Sequence, residues 1–177
     1  MKKLLVAAVF VCAAAISQAA TVNWGISNVK NSAGGAPTAG WSVMAFYTAV
    51  GAGSDAIVSA IQSKSAASSA FETKTLASSF GSGNVKTHDA TVAGITDNTK
   101  NYDFYFVVFN DADATKATEY AMVSSLDKGY SDLEGKFAIP SANFSGATWQ
   151  TTSVPEPTSG LLMLLGVAGL ALRRRRA

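Results

Sequence analysis

Tyr102-Asp103-Phe104-Tyr105-Phe106-Val107-Val108-Phe109 is the stretch that decides the fold. Apart from Asp103, every residue in it is aromatic or β-branched, the side chains that sit best on a pleated surface. Both faces of the run are apolar, so it is expected to cross the centre of a sheet covered on both sides. Residues 110–116 break the run. Residues 118–125 then resume an extended pattern with Tyr120 and Met122 on one side, which makes the two segments a β-hairpin.

Working outward, residues 41–50 repeat the same theme. Trp41, Val43, Ala45 and Tyr47 alternate with Met44 and Phe46, so this second strand is also expected to be central. Residues 21–28 alternate more simply, with Val22, Trp24 and Ile26 opposed to Asn23, Gly25 and Ser27, the pattern of a half-buried strand. Between these two lies a loop at 30–40, rich in Asn, Ser, Gly and Ala and interrupted by Pro37. Ser54 and Asp55 resemble a helix start, and Ala56, Ile57, Ala60 and Ile61 share one face, predicting a single short helix over 55–63. Residues 65–83 are ambiguous, with Phe71, Leu76 and Phe80 as core plugs and an expected strand at 75–80. Residues 84–95 favour one long strand or a strand pair, and 96–100 a turn. Later short strands are expected at 135–139 and 147–152. Many short strands with one helix predict a mainly β domain, an antiparallel β-sandwich or barrel.

The two ends of the chain are different in kind. Lys2 and Lys3 precede an apolar run over 4–16, and Ser17-Gln18-Ala19 offers small residues where signal peptidase reads them. A cut after Ala19 is the first expectation and one after Ala20 the second. The run is short for a membrane span, which favours a signal peptide at 1–19 over an anchor. The exported domain is then 20–153, followed by a tail at 154–177.

Removing both ends reverses the charge. The whole chain has 14 Lys and Arg, 12 Asp and Glu and a formal net charge of +2. The span 20–153 holds about eight lysines, no arginine and about eleven Asp and Glu, close to −3. With no basic cluster, nucleic acid is not an expected partner. The lone cysteine, Cys12, lies in the signal peptide. The mature domain therefore has no disulfide, thiolate nucleophile or thiolate metal site. A domain of this size can fold on its core alone.

Chemistry is sparse in the domain. Asp111 and Asp113 sit at alternate positions of a tight loop and are weak candidates for a hard cation. The pattern fails after these two ligands, because Thr115 and Lys116 occupy the next places, and a polar turn explains the same residues. His88 is the sole histidine and has Asp89 beside it. In an extended segment the two point to opposite faces, and no Gly-x-Ser-x-Gly elbow accompanies them. One histidine without cysteine cannot build a zinc site. Gly34-Gly35 and Gly51-Ala52-Gly53 lack the rest of any phosphate-binding fingerprint. Asp132 and Glu134 read as a solvated turn. Trp24, Trp41 and Trp149 could form a sugar-stacking platform, although aromatics in alternating strands more often belong to the core. No catalytic residue and no cofactor is expected.

The tail carries the specific signal. It reads Val154-Pro155-Glu156-Pro157, an apolar segment from Gly160 to Leu172, then Arg173, Arg174, Arg175 and Arg176. The prolines keep the chain extended. As a helix the apolar segment rises about 20 Å, short of a ~30 Å hydrocarbon core, and spans only if the bilayer thins and the arginine stems snorkel. The arginines are expected to stay cytoplasmic. Over these residues the chain resembles a PEP-CTERM protein. The resemblance implies recognition by an exosortase, an integral-membrane processing enzyme of Gram-negative bacteria, at Pro155, Glu156 and Pro157. It further implies an exported surface or extracellular-matrix protein of an organism that makes exopolysaccharide. The expected partners are signal peptidase and exosortase during export, the inner membrane transiently, and exopolysaccharide in the matrix. The body itself resembles no family, and unrelated bodies share such tails. Two readings therefore stand: a non-enzymatic surface or matrix component, and a surface-displayed carbohydrate-binding module or weak hydrolase.

Overall fold

The computed structural model describes residues 19–76 and 85–152. Its elements in chain order are β1 (Ala20–Ser27), β2 (Ser42–Ala49), α1 (Asp55–Gln62), α2 (Ala66–Ser69), β3 (Glu72–Thr75), β4 (Val85–Val92), β5 (Tyr102–Phe109), β6 (Glu119–Lys128), β7 (Phe137–Ala138), β8 (Ala142–Asn143) and β9 (Trp149–Thr151). They form two sheets. One has the order β3-β2-β5-β6-β9; the other has β4-β1-β7, with β8 also on β1.

β5 lies at the centre of the five-stranded sheet, as its two apolar faces require. Its register with β2 runs from Val43↔Val108 to Ala49↔Tyr102, and with β6 from Tyr102↔Lys128 to Phe109↔Tyr120. Alternate residues serve two cores. Phe104, Phe106 and Val108 join Val22, Trp24, Ile26, Val43, Ala45 and Phe137 between the sheets. Tyr105, Val107 and Phe109 join Met44, Phe46 and Tyr120 under the helices, where Ile57, Ile61 and Ala66 cover them. The result is a β-sandwich with a thin helical layer on one outer face.

Several expectations need correction. The four-stranded sheet is mixed, because β1 pairs antiparallel with β4 but parallel with β7 and β8. The β5–β6 hairpin intervenes in the other sheet, so the chain returns to β1 by a crossover, which permits parallel pairing. Pro140 splits the returning segment: Ile139 N–H donates to Asn23 O before it and Phe144 N–H to Ser27 O after it. Two-residue strands have no period to read. A second helical turn, α2, follows α1 where one helix was expected. β3 covers Glu72–Thr75, of which only Thr75 falls in the strand expected at 75–80, and residues 77–84, which hold most of that expected strand, lie outside the described region. β6 runs to Lys128, past the expected end at 125.

The last correction has a visible cause. Asp103 is 4 % exposed, the one deeply buried carboxylate among the described residues. Its Oδ1 accepts the Asp127 N–H at 2.8 Å and its Oδ2 the Gly51 N–H at 2.9 Å. The β5–β6 register shifts between Tyr102 and Phe104, and Asp127 takes a positive φ of 53°. The carboxylate therefore holds a bulge in β6 and the turn after β2 together.

Candidate functional site

The loop after β5 places Asp111 and Asp113 close together but turns both on their own backbone. Asp111 Oδ1 accepts the Asp113 N–H at 2.8 Å. Asp113 Oδ1 accepts the Thr115 N–H at 2.9 Å and the Thr115 hydroxyl at 2.7 Å, and Lys116 Nζ lies 3.6 Å from Oδ2. The loop before β5 repeats this device. Asp97 Oδ1 accepts the Thr99 N–H at 3.0 Å and the Thr99 hydroxyl at 2.6 Å, with Lys100 Nζ 3.2 Å from Oδ2. Both are Asp-x-Thr-Lys, a repeat visible in the sequence and not singled out there. The threonine bonds, and after them the lysine, hold both carboxyls below the usual carboxylate range. Among the described residues no group of three or more His, Cys, Asp or Glu side chains is arranged to hold a metal ion.

The three tryptophans do not form a row. Trp24 is fully buried, stacked on Phe106 at 5.4 Å with its Nε1–H donating to Glu72 Oε2 at 2.9 Å. Trp41 and Trp149 are half-buried and meet edge to face at 5.5 Å, and Trp149 Nε1–H donates to Lys30 O at 3.0 Å. Lys30 also lines a cleft of about 220 Å³ with Asn28, Val29, Gly34, Gly35, Ala36 and Pro37. Asn31 shapes this loop, its Oδ1 accepting the N–H groups of Ala33 and Gly35 at 3.1 and 2.8 Å.

The remaining candidates are dispersed. His88 lies in β4 opposite Trp24 in the ladder. Exposed Asp89 accepts from Asn23 Nδ2 at 2.7 Å and from Lys136 Nζ at 3.3 Å. Asp132 and Glu134 flank the fully exposed Leu133 in the turn closed by the Ser131↔Lys136 bridge.

The end of the body is the best-built polar site, and periodicity gave no sign of it. β9 is an edge strand on β6, in register Glu119↔Thr151, Tyr120↔Gln150 and Ala121↔Trp149. The Tyr120 hydroxyl donates to Gln150 Oε1 at 2.7 Å, and burial pushes that phenol above its ordinary pKa. Thr152 is 1 % exposed. Its N–H donates to Thr118 O at 2.9 Å and its hydroxyl to Ala117 O at 2.5 Å. Lys64 Nζ donates to the same two groups, Ala117 O at 2.7 Å and Thr152 Oγ1 at 2.9 Å. At the other end, Ala19 is exposed, and β1 starts at Ala20, whose N–H donates to Ile95 O at 3.1 Å.

Residues 1–18 and the tail elements (Val154, Pro155, Glu156, Pro157, the segment from Gly160 to Leu172 and Arg173 to Arg176) lie outside the described residues. Among the described residues no helix is long and apolar enough to cross a membrane. Residues 153–176 match the family model of the PEP-CTERM protein-sorting motif. The match starts one residue after the buried Thr152. Neither a curated protein nor a solved structure matches the chain.

Proposed function

We propose that the chain is an exported, non-enzymatic surface or extracellular-matrix protein whose tail is cut by an exosortase after delivering the β-sandwich through the inner membrane. The observation that carries this reading is the sorting-motif match at 153–176, contiguous with the end of the folded body. The order of motif, apolar segment and arginines suits transient anchoring, with the charge held at the cytoplasmic face. The polar residues of the body support a structural role, because the aspartates near β5 spend their oxygens on local N–H groups and hydroxyls.

The test is mass spectrometry of the protein recovered from its native host. A new C-terminus near Pro155 to Pro157 is expected. Mature surface protein that still ends beyond Arg176 would overturn processing. A second reading, a carbohydrate-binding module, draws on the half-buried Trp41–Trp149 pair beside the cleft at 28–37. A glycan array with the purified body tests it, and an empty array removes it.

A further inference from the structure

We propose that β9 is a strand the processing enzyme must peel from β6, and that Lys64 is the latch that holds it closed. The inference rests on the sorting reading above and adds a control built into the body. Its first ground is reach. Thr152 is fixed by three hydrogen bonds, so Pro155 can stand no more than about 10 Å from that anchor even on a fully extended chain. Only Ser153 and Val154 lie between the anchor and the motif. A cleaving enzyme needs backbone free of other partners around the bond it cuts, and here the upstream side runs straight into a sheet. Releasing residues 147–152 lengthens the free tether to about 30 Å.

The second ground is Lys64 itself. It stands just past α1 with φ 59°, the left-handed position at which helices usually place glycine. Ser65 N–H donates to Ala60 O at 2.8 Å across it, which closes the helix end. A lysine there costs backbone energy that a glycine would not. Its side chain spans from this turn to the other end of the described chain and clasps Ala117 O and Thr152 Oγ1. An unfavourable backbone position occupied by a side chain with one long-range task points to that task.

The third ground is that the strand can open alone. β9 has three residues and lies at a sheet edge, whereas β6 beside it pairs along its length with β5. Short edge elements open locally while the core stays folded. Where opening is fast, cleavage follows the population of the open form.

The experiment is a pulse-chase of tail loss from the full chain in its native host, read by mass. Glu119→Cys with Thr151→Cys places two thiols opposite each other across β6 and β9, and export delivers them to an oxidising compartment. The single-cysteine variants are the unlocked controls. The locked protein is expected to lose its tail at least about tenfold more slowly, since cleavage tracks the open population. Six Gly/Ser residues inserted after Ser153 should restore the parental rate in the locked protein. Lys64→Met, which keeps the stem and removes the ammonium, should speed tail loss several-fold. Tail loss from the locked protein at the parental rate overturns the latch while leaving the sorting reading intact. A parent that never loses its tail, or a Glu156→Ala variant that loses it normally, overturns the sorting reading itself.

Discussion

The two faces of β5 bury alternate residues of the same eight-residue strand almost equally, yet they are covered very differently. The inner face meets a second sheet, with Trp24 stacked on Phe106 and Phe137 packed against Phe104 at 5.9 Å. The outer face meets an eight-residue helix and a four-residue turn resting on Ile57, Ile61 and Ala66. Equal burial of a strand therefore does not mean equal anchorage. The inner cover is itself a hydrogen-bonded sheet that packs several rings against β5, whereas the outer one is a lid seated on two isoleucines and an alanine.

This contrast can be broken most directly at Phe106. Phe106→Ala should remove about 3–5 kcal/mol of stability in urea unfolding, because it leaves a cavity under a stacked indole. A loss below about 1 kcal/mol would mean that the sheet interface can collapse, contrary to its ring packing. Ile61→Ala comes next. It should cost about 2–3 kcal/mol, the lower part of the range for such deletions, because a thin lid can settle onto the gap. Amide exchange should quicken across α1 and α2 while the β5 amides stay protected. Global exchange at the same rate in both regions would show that lid and sandwich open as one unit.

Gly94 probes the rim of the inner interface. A Cβ there would stand 1.9 Å from the Tyr47 hydroxyl oxygen, and the Tyr47 ring is packed against Tyr102 and Phe71 at 5.8 and 6.2 Å. Gly94→Ala should therefore cost about 1–3 kcal/mol. Adding Tyr47→Phe should recover part of the loss, since the oxygen is the nearest obstacle and the ring carbon Cζ stands behind it at 3.1 Å. No recovery in the double variant would move the strain from the side chain to the backbone.

The smallest expected effect concerns pH at the two ends of β5. Asp97 and Asp113 have carboxyl pKa values lowered on folding, first by Thr99 and Thr115. A lowered folded value favours the native state while the carboxylates are ionised. Their contribution is thus present above the unfolded pKa of about 4 and is lost as pH falls through the folded values. A thermal scan should be insensitive to these two groups between about pH 5 and 8, with their slope appearing only below about pH 4. Asp97→Asn with Asp113→Asn should flatten that acid slope; an unchanged slope would assign it to other carboxylates.

Much of this was legible from residues alone. Alternation separated Trp41, Val43, Ala45 and Tyr47 from Met44 and Phe46, and the structure keeps that division, with the first set packed between the sheets and the second under the helices. The same logic found β1, β5 and α1, because each buries a face whose period fits its backbone. It also placed β7 and β9 inside the short strands expected at 135–139 and 147–152, but it did not find β8, whose two residues carry no period. It gave no hint of the parallel pairing with β1 either, since register between distant segments is a property of both. Trp24 was weighed as a platform residue, and only the fold shows it stacked inside the sandwich.

The sequence by itself determined the sorting motif at 153–176 and the central strands. A sorting tail works as a linear string, and a strand with two apolar faces must be covered on both, so neither needs distant partners to be recognised. The tertiary structure alone decided what covers each face, which way the returning strands run, and that Lys64 reaches 88 residues along the chain to hold Thr152. These are contacts between segments that carry no mark of one another until the backbone brings them together.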